Sequence, residues 1–550
     1  MPASTRSRTD GPTPLPNHEG YDYDVVIIGA GMSGLCQLYH VQTLGLSVKV
    51  YDDAADVGGT WFWNRYPGCR FDSESESYSF SFSQELLDEW YWKEHFSSQP
   101  ENLKYCQYVA RKFGLYKHIQ FNTRVSSAHW QEESRTWKLT AAKSGEQVTC
   151  RFLVTAIGPL SAPTLPSDLD IEKFKGESCH TASWPLTPVT FEGKRVAVIG
   201  TGATGIQAIQ EVAKTAKHLT VFQRSPNWSC PLGNSPVSEE KMKQIRENYP
   251  SMFKKCTETY GCFVHDGDPR SVFDVTPEER DAFWETLYAA PGMGMWVGNF
   301  RDLLVDPKAN ELVSNFVANK VRSRVNDPIT AEKLIPKHGF GLKRLPLETN
   351  YFEVYNQKNV ELVSLLDTPI DRLTDKGIQT SDNIEREFDM IIYATGFDAL
   401  TGSFDRIDIR GVGGEKLKDR WTPSPQTCLG LMVDNYPNMM MVFGPRGGIG
   451  NAVPVIEFNV DWITKLLSFA KAKQLTRLEA TKEKVDEWTK HVNDSGANVL
   501  GSDVDSWVTG VNRNVGKTTR IVARYVGGNI DYRQRVTRAA DNGYRDLSLS

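Results

Sequence analysis

Gly29-Ala30-Gly31-Met32-Ser33-Gly34 and Gly200-Thr201-Gly202-Ala203-Thr204-Gly205 are two copies of one glycine-rich turn, each preceded by a run of β-branched residues. The first follows Tyr23-Asp24-Val25-Val26-Ile27-Ile28, an apolar run that predicts a buried parallel strand, and precedes residues 35–44, which read as a helix. In such a strand, turn and helix the first glycine permits the sharp bend. The second lets backbone N–H groups approach a pyrophosphate, and the third lets helix and strand pack closely. The phosphates then sit at the positive end of the helix. One such turn alone is weak evidence; the flanking elements strengthen it, and here they occur twice.

The residues after each turn distinguish the two sites. Strand Ser47-Val48-Lys49-Val50-Tyr51 ends in Asp52, placed where an acid accepts from both hydroxyls of an unphosphorylated adenosine ribose, as in FAD. The matching strand, Leu219-Thr220-Val221-Phe222-Gln223, ends in Arg224, with no acid to repel a 2′-phosphate, which favours NADPH over NADH. Two dinucleotides in one polypeptide suggest that electrons pass between them.

Composition narrows the class. A chain of 550 residues exceeds a single core, so about two to four domains are expected. With 40% apolar and 24% charged residues it reads as globular, and a net charge of −5 without a basic tract argues against nucleic-acid or anionic-membrane partners. No stretch approaches the ~18 apolar residues of a membrane span. Nine scattered cysteines, with no CxxC pair and no secretory signal, read as reduced packing thiols of a cytoplasmic protein and argue against a dithiol-exchanging flavoenzyme.

The expected fold class is α/β: two Rossmann-like, doubly wound dinucleotide-binding domains, for FAD and NADPH, with a helical insertion in the NADPH domain. Residues 1–20 read as a disordered tail and 21–160 as the first part of the FAD domain. A Pro- and Ser-rich linker, 161–190, leads to the first part of the NADPH domain, 191–234. Residues 235–336 are the insertion, announced by the helix-start signals Thr276-Pro277-Glu278-Glu279 and Asp306-Pro307. Leu312, Val313, Phe316, Val317 and Val321 share one helical face and read as core packing. The NADPH domain resumes over 337–388. The strand Met390-Ile391-Ile392-Tyr393-Ala394 is expected to re-enter the first sheet, so that 389–550 completes the FAD domain.

Several stretches resemble the type I Baeyer-Villiger monooxygenases, flavoproteins of the phenylacetone and cyclohexanone monooxygenase kind. Phe174-Lys175-Gly176-Glu177-Ser178-Cys179-His180-Thr181-Ala182-Ser183-Trp184-Pro185 fits that family's FxGxxxHxxxW(P/D) fingerprint. Val57-Gly58-Gly59-Thr60-Trp61, Trp63-Asn64-Arg65-Tyr66-Pro67-Gly68, Phe222-Gln223-Arg224, Lys343-Arg344 and Ala394-Thr395-Gly396-Phe397-Asp398 match as well. N- and S-oxygenating flavin monooxygenases share the FxGxxxH portion but not usually the tryptophan.

The resemblance implies a ketone-to-ester or lactone monooxygenase that uses FAD, NADPH and O2. NADPH would reduce FAD, and the reduced flavin would hold O2 as a peroxide on its ring (a flavin C4a-peroxide). That peroxide attacks a carbonyl only while deprotonated, which requires a permanent positive charge. Arg344 matches the family's active-site arginine, and Asp72 the acid that steers it. The neighbouring Glu74 and Glu76 look alike locally, and only the resemblance selects Asp72. Gly29, Gly31, Gly34, Asp52, Gly59, Thr60 and Trp61 are the candidate FAD residues. Gly200, Gly202, Thr204, Gly205, Gln207, Arg224 and Lys343 are those for NADPH, with Trp507 on a loop over the nicotinamide. His180 and Trp184 would couple the domains. The loop 444–457 is nearer the cyclohexanone type, and Arg446 within it is an unusual charge. Beyond the ketone and O2, the expected state is a monomer or weak oligomer, with no metal.

Overall fold

The strand Tyr23–Ile28 has Val25, Val26 and Ile27 wholly buried because it runs through the middle of the first sheet, covered on both faces. Val48–Tyr51 and Gln147–Thr155 flank it in parallel register, with Val50 opposite Ile27 on one side and Val154 on the other. Ile119–Gln120 extends the sheet beyond Val48–Tyr51, and a hairpin of Val125–Gln131 and Thr136–Ala141 extends the far side. The long helix Ala452–Lys473 packs against Met32–Thr43, the helix that follows the first glycine turn. This computed structural model describes residues 20–497 and 499–550; nearly all of the expected 1–20 tail lies outside them.

The second sheet is all parallel, in the spatial order Val360–Ser364, His218–Gln223, Arg195–Ile199, Met390–Tyr393, Glu177–His180. Two expectations are corrected by it. Met390–Tyr393 does not re-enter the first sheet; it is an inner strand of the second, between Arg195–Ile199 and Glu177–His180. The chain returns to the first sheet later, through Asp408–Arg410 beside Val125–Gln131 and Met439–Met441 beside Gln147–Thr155. Residues 161–190 are likewise more than a linker, because Glu177–His180 forms the edge of the second sheet.

The reason lies in an internal symmetry. Gly29 has φ +106°, and a Cβ there would sit 2.4 Å from the Ala156 carbonyl oxygen; Gly200 has φ +109° and meets the Ala394 carbonyl oxygen at 2.5 Å. Both conformations require glycine. Ala394-Thr395-Gly396 is thus to the second turn what Ala156-Ile157-Gly158 is to the first.

Between His218–Gln223 and Val360–Ser364 the helices Glu239–Glu258, Pro277–Ala289, Pro307–Arg324 and Pro328–Leu334 form the insertion, as expected. Thr276 closes a reciprocal capping box with Glu279, and Asp306 caps the N–H groups of Lys308 and Ala309. Val313, Val317 and Val321 are buried; Val313 and Val317 pack in a separate core with Trp284, Phe300 and Phe340. Among the described residues, no helix is long and apolar enough to cross a membrane.

Candidate active site

A cavity of about 1290 Å³ is lined by Gly29, Gly31, Ser33 and Asp52 of the first nucleotide fold, by Gly59, Thr60 and Trp61, and by Asp72, Arg344 and Trp507. Gly31 begins helix Met32–Thr43 with no side-chain cap, so the N–H groups of the first turn remain available to a ligand. Gly34 does not line the cavity. A Cβ there would lie 1.8 Å from the Gly29 carbonyl oxygen, so its part is close packing. Asp52 accepts from the Ala30 N–H at 2.5 Å and the Ala54 N–H at 2.8 Å, and burial pushes its carboxyl up to about 6. An uncapped helix start beside a strand-end carboxyl at the cavity wall fits the pyrophosphate and ribose of FAD.

The second fold repeats the arrangement without the acid. Gly202 begins helix Ala203–Val212 with no side-chain cap, and a Cβ there would meet nothing within 4 Å. Arg224 is exposed and forms no ion pair among the described residues. Burial, and then the nearby Arg224 guanidinium, hold the Lys343 ammonium below its usual range. Two neighbouring cations, with the Asp505 carboxylate acting more weakly on Lys343, fit a 2′-phosphate. Gly205 packs closely: a Cβ would sit 2.2 Å from the Gly200 carbonyl oxygen. Thr204 accepts a long hydrogen bond from Thr181 at 3.5 Å. Gln207 ties the two domains, accepting from the Tyr66 hydroxyl at 2.8 Å and donating to the Arg70 carbonyl at 3.1 Å.

Arg344 lies between the insertion and Leu347–Glu348, and its Nη2 donates to Asp72 Oδ1 at 2.5 Å across 272 residues of sequence. Its Nη1 donates to the Leu345 carbonyl, and Asn227 Nδ2 donates to the Arg344 carbonyl at 3.2 Å. The Asp72 side chain is only 9% exposed, so its carboxylate depends on this pairing. The three neighbouring acids are separated by their partners: Asp72 meets Arg344, Glu74 meets His265 Nε2 at 2.9 Å, and Glu76 lies 3.9 Å from His95. His180 does not line the cavity. Its Nδ1 accepts from the Ala182 N–H at 3.0 Å, and burial holds the ring neutral, down to about 4. Trp184 packs near Phe191 with ring centroids 6.4 Å apart.

The loop carrying Trp507 is fastened to the Ala394–Asp398 stretch. Asn512 Nδ2 donates to the Phe397 carbonyl at 2.8 Å, Asn514 Nδ2 to the Thr395 carbonyl at 3.1 Å, and Lys517 Nζ meets Asp398 at 2.8 and 2.9 Å. Lys517→Ala is expected to free this loop. Limited proteolysis should cut residues 499–520 several-fold faster, and KM for NADPH should rise about three- to tenfold. Equal cleavage rates would show that the lysine does not hold the loop.

Arg446 turns away from the cavity. It is 3% exposed, donates to the Thr489 carbonyl at 3.1 Å and Ser424 Oγ at 2.8 Å, and is pushed down by burial to about 10. It braces the loop from behind and does not charge the pocket. The sequence also gave no hint that loops of the insertion wall the cavity, through residues including Tyr260, Phe263, His265 and Trp296, or that Arg524 does so from near the C-terminus. None of these lies in a motif; the only signal was the insertion's position between the two halves of the second fold.

Residues 22–234 match the family model described as flavin-binding monooxygenase-like. The 2-oxo-Δ3-4,5,5-trimethylcyclopentenylacetyl-CoA monooxygenase of Pseudomonas putida is 44% identical, covering 96% of this chain and 98% of its own. Cyclohexanone 1,2-monooxygenase of an Acinetobacter species is 39% identical over 96% and 97%, and phenazine N-monooxygenase PhzNO1 of Lysobacter antibioticus 38% over 96% and 97%. A crystal structure of OTEMO in complex with FAD and NADP superposes with a TM-score of 0.93 at 44% identity, covering 97% of this chain and all of that one. With the two nucleotide folds, these likenesses show that the chain belongs to the Baeyer-Villiger monooxygenase family, flavin-dependent enzymes that use FAD and NADP(H).

Proposed function

We propose that Arg344 is the charge that keeps the activated oxygen anionic beside a ketone carbonyl, and that Asp72 positions it. FAD, reduced by NADPH, supplies the activated oxygen when bound. The single observation that supports these roles is the Arg344–Asp72 pair on the cavity wall. One Arg344 nitrogen is fixed by Asp72 and another by the Leu345 carbonyl, so the guanidinium plane is set while its other N–H groups stay available. A guanidinium does not lose its proton at any working pH, so it can stabilise an anion without supplying the proton that would quench it. The names of two relatives, acting on a cyclopentenylacetyl-CoA and on cyclohexanone, support a cyclic ketone as substrate.

Product analysis with cyclohexanone and a sulfide side by side tests this reading. Lactone formation, with ketone-accelerated NADPH oxidation, is expected; a sulfoxide with no lactone would overturn it. N-oxygenation is the second reading, favoured by the phenazine-oxidising relative. It is tested by adding phenazine, with an N-oxide and no lactone as the contrary result.

Gly29, Gly31, Asp52, Gly59, Thr60 and Trp61 are proposed to hold FAD, with Gly34 letting its helix pack against the turn. Gly200, Gly202, Thr204, Arg224, Lys343 and Trp507 are proposed to hold NADPH, with Gly205 packing its helix against the turn and Gln207 setting the angle between the folds. Arg224→Ala is expected to raise KM for NADPH about 10- to 100-fold while changing KM for NADH less than about threefold. Unchanged coenzyme selectivity would remove Arg224 as the phosphate reader. The nine cysteines, all buried and unpaired, support a cytoplasmic location, and a monomer or weak oligomer is the proposed state.

A further inference from the structure

Among the described residues, Arg524 lines the cavity without a counter-charge. The other cavity-lining arginines are all satisfied: Arg344 by Asp72, Arg124 by Asp53 at 3.7 Å, Arg301 by Asp274 at 4.0 Å, and Arg406 by the Ser161 carbonyl at 3.0 Å. Arg524 makes no side-chain hydrogen bond or ion pair among the described residues, and its Nε is sealed from solvent with no partner. The group acting on it electrostatically is the Tyr260 hydroxyl, which is itself engaged as a donor to the Val526 carbonyl. Burial holds the guanidinium below its ordinary range, so the folded chain bears an unrelieved cost for this charge.

The backbone keeps Arg524 there. Ala523, 2% exposed, accepts the Arg446 N–H at 3.0 Å, and Tyr525, 5% exposed, donates its N–H to the Gly447 carbonyl at 3.2 Å. Residues on both sides are therefore pinned to the loop that Arg446 braces. A hydrophobic side chain would cost less in a wall that includes Phe263, Ile449 and Ile456, so the cation requires a purpose.

We propose that Arg524 receives an anionic group carried by the ketone substrate, and that the enzyme selects ketones bearing a carboxylate or a phosphate-containing ester over neutral ones. This rests on the proposed ketone oxygenation at Arg344, since both arginines face one cavity. A planar guanidinium with its N–H groups unspent meets either oxyanion, and a charge-assisted hydrogen bond in a sheltered site discriminates strongly against the neutral analogue. Arg524 would be a specificity residue; it takes no part in the oxygen insertion.

The test uses the full-length holoenzyme and four ketones: cyclopentanone, 2-oxocyclopentylacetate, its methyl ester and its coenzyme A thioester. The wild type is expected to favour the free acid or the thioester over the methyl ester by about 10- to 100-fold in kcat/KM. The better of the two charged ketones identifies the source of the anion. Arg524→Met should bring that ratio to within about threefold of unity while flavin content stays at wild-type level, and Arg524→Lys should retain part of it. Calorimetric titration with the unreactive cyclopentylacetate should show the same ordering if the acid is preferred.

Equal kcat/KM for all four ketones in the wild type would overturn the proposal, as would a ratio that survives Arg524→Met. Loss of flavin from both variants would also overturn it, by making Arg524 a cofactor or folding residue. If cyclopentylacetate binds in an Arg524-dependent way but no ketone is oxygenated, the anion site stands and the ketone reading falls.

Discussion

Arg344→Ala is expected to be reduced by NADPH at close to the wild-type rate yet to form ester or lactone at least about 10²–10³-fold more slowly. Hydride delivery needs the nicotinamide to meet the flavin, which the two nucleotide folds arrange. On the proposed mechanism, oxygen insertion needs the Arg344 cation as well. Rapid-mixing measurement of flavin reduction, with product quantified separately, divides the two steps, and ester formation at the normal rate would refute the assignment. The substitution also strands Asp72, whose side chain is only 9% exposed, so some loss of stability is expected alongside the lost chemistry. The double variant Arg344→Met, Asp72→Asn removes both charges. It should recover most of any fall in Tm while leaving ester formation as slow as in Arg344→Ala, because a neutral pair fills the space but cannot hold an anion.

The second large effect separates the domains. In Gly29→Ala the new Cβ would meet the Ala156 carbonyl oxygen at 2.4 Å at φ +106°; in Gly200→Ala it would meet the Ala394 carbonyl oxygen at 2.5 Å at φ +109°. Neither neighbour yields easily, since each is backbone at the end of a central sheet strand, and the strain should cost at least about 2 kcal/mol at either site. The consequences differ. Gly29→Ala should be isolated with little flavin. Gly200→Ala should keep its flavin, visible by absorbance, but bind NADPH more weakly by at least about 30-fold. Full flavin occupancy in Gly29→Ala would mean that the first turn does not hold FAD, and normal NADPH affinity in Gly200→Ala would mean the same of the second turn for NADPH.

The two glycine turns were legible because the signal is local: a strand, a backbone bend that only glycine adopts, and a helix lie within some thirty residues. Asp52 and Arg224 sit at fixed distances from those turns and were legible for the same reason. The capped helix starts at Thr276 and Asp306 were also readable, since a cap and the N–H groups it satisfies are three residues apart or fewer. Met390–Tyr393 was assigned to the wrong sheet because an apolar strand followed by Ala-x-Gly occurs at the end of both folds, and pattern alone cannot say which glycine turn it will face. Arg446 illustrates the complementary limit: its charge is plain in the chain, but the direction of its side chain depends on Thr489 and Ser424.

By itself the sequence determined that this protein carries two dinucleotide-binding folds and which family's motifs it bears; these properties are written in short-range spacing and in backbone angles open only to glycine. The tertiary structure decided which of three similar acids meets Arg344, that loops of the insertion close the cavity, and that Arg524 faces it unpaired. Those facts depend on contacts between residues far apart in the chain, up to 272 positions for Asp72 and Arg344, and such contacts exist only once the sheets, the insertion and the C-terminal segment have packed together.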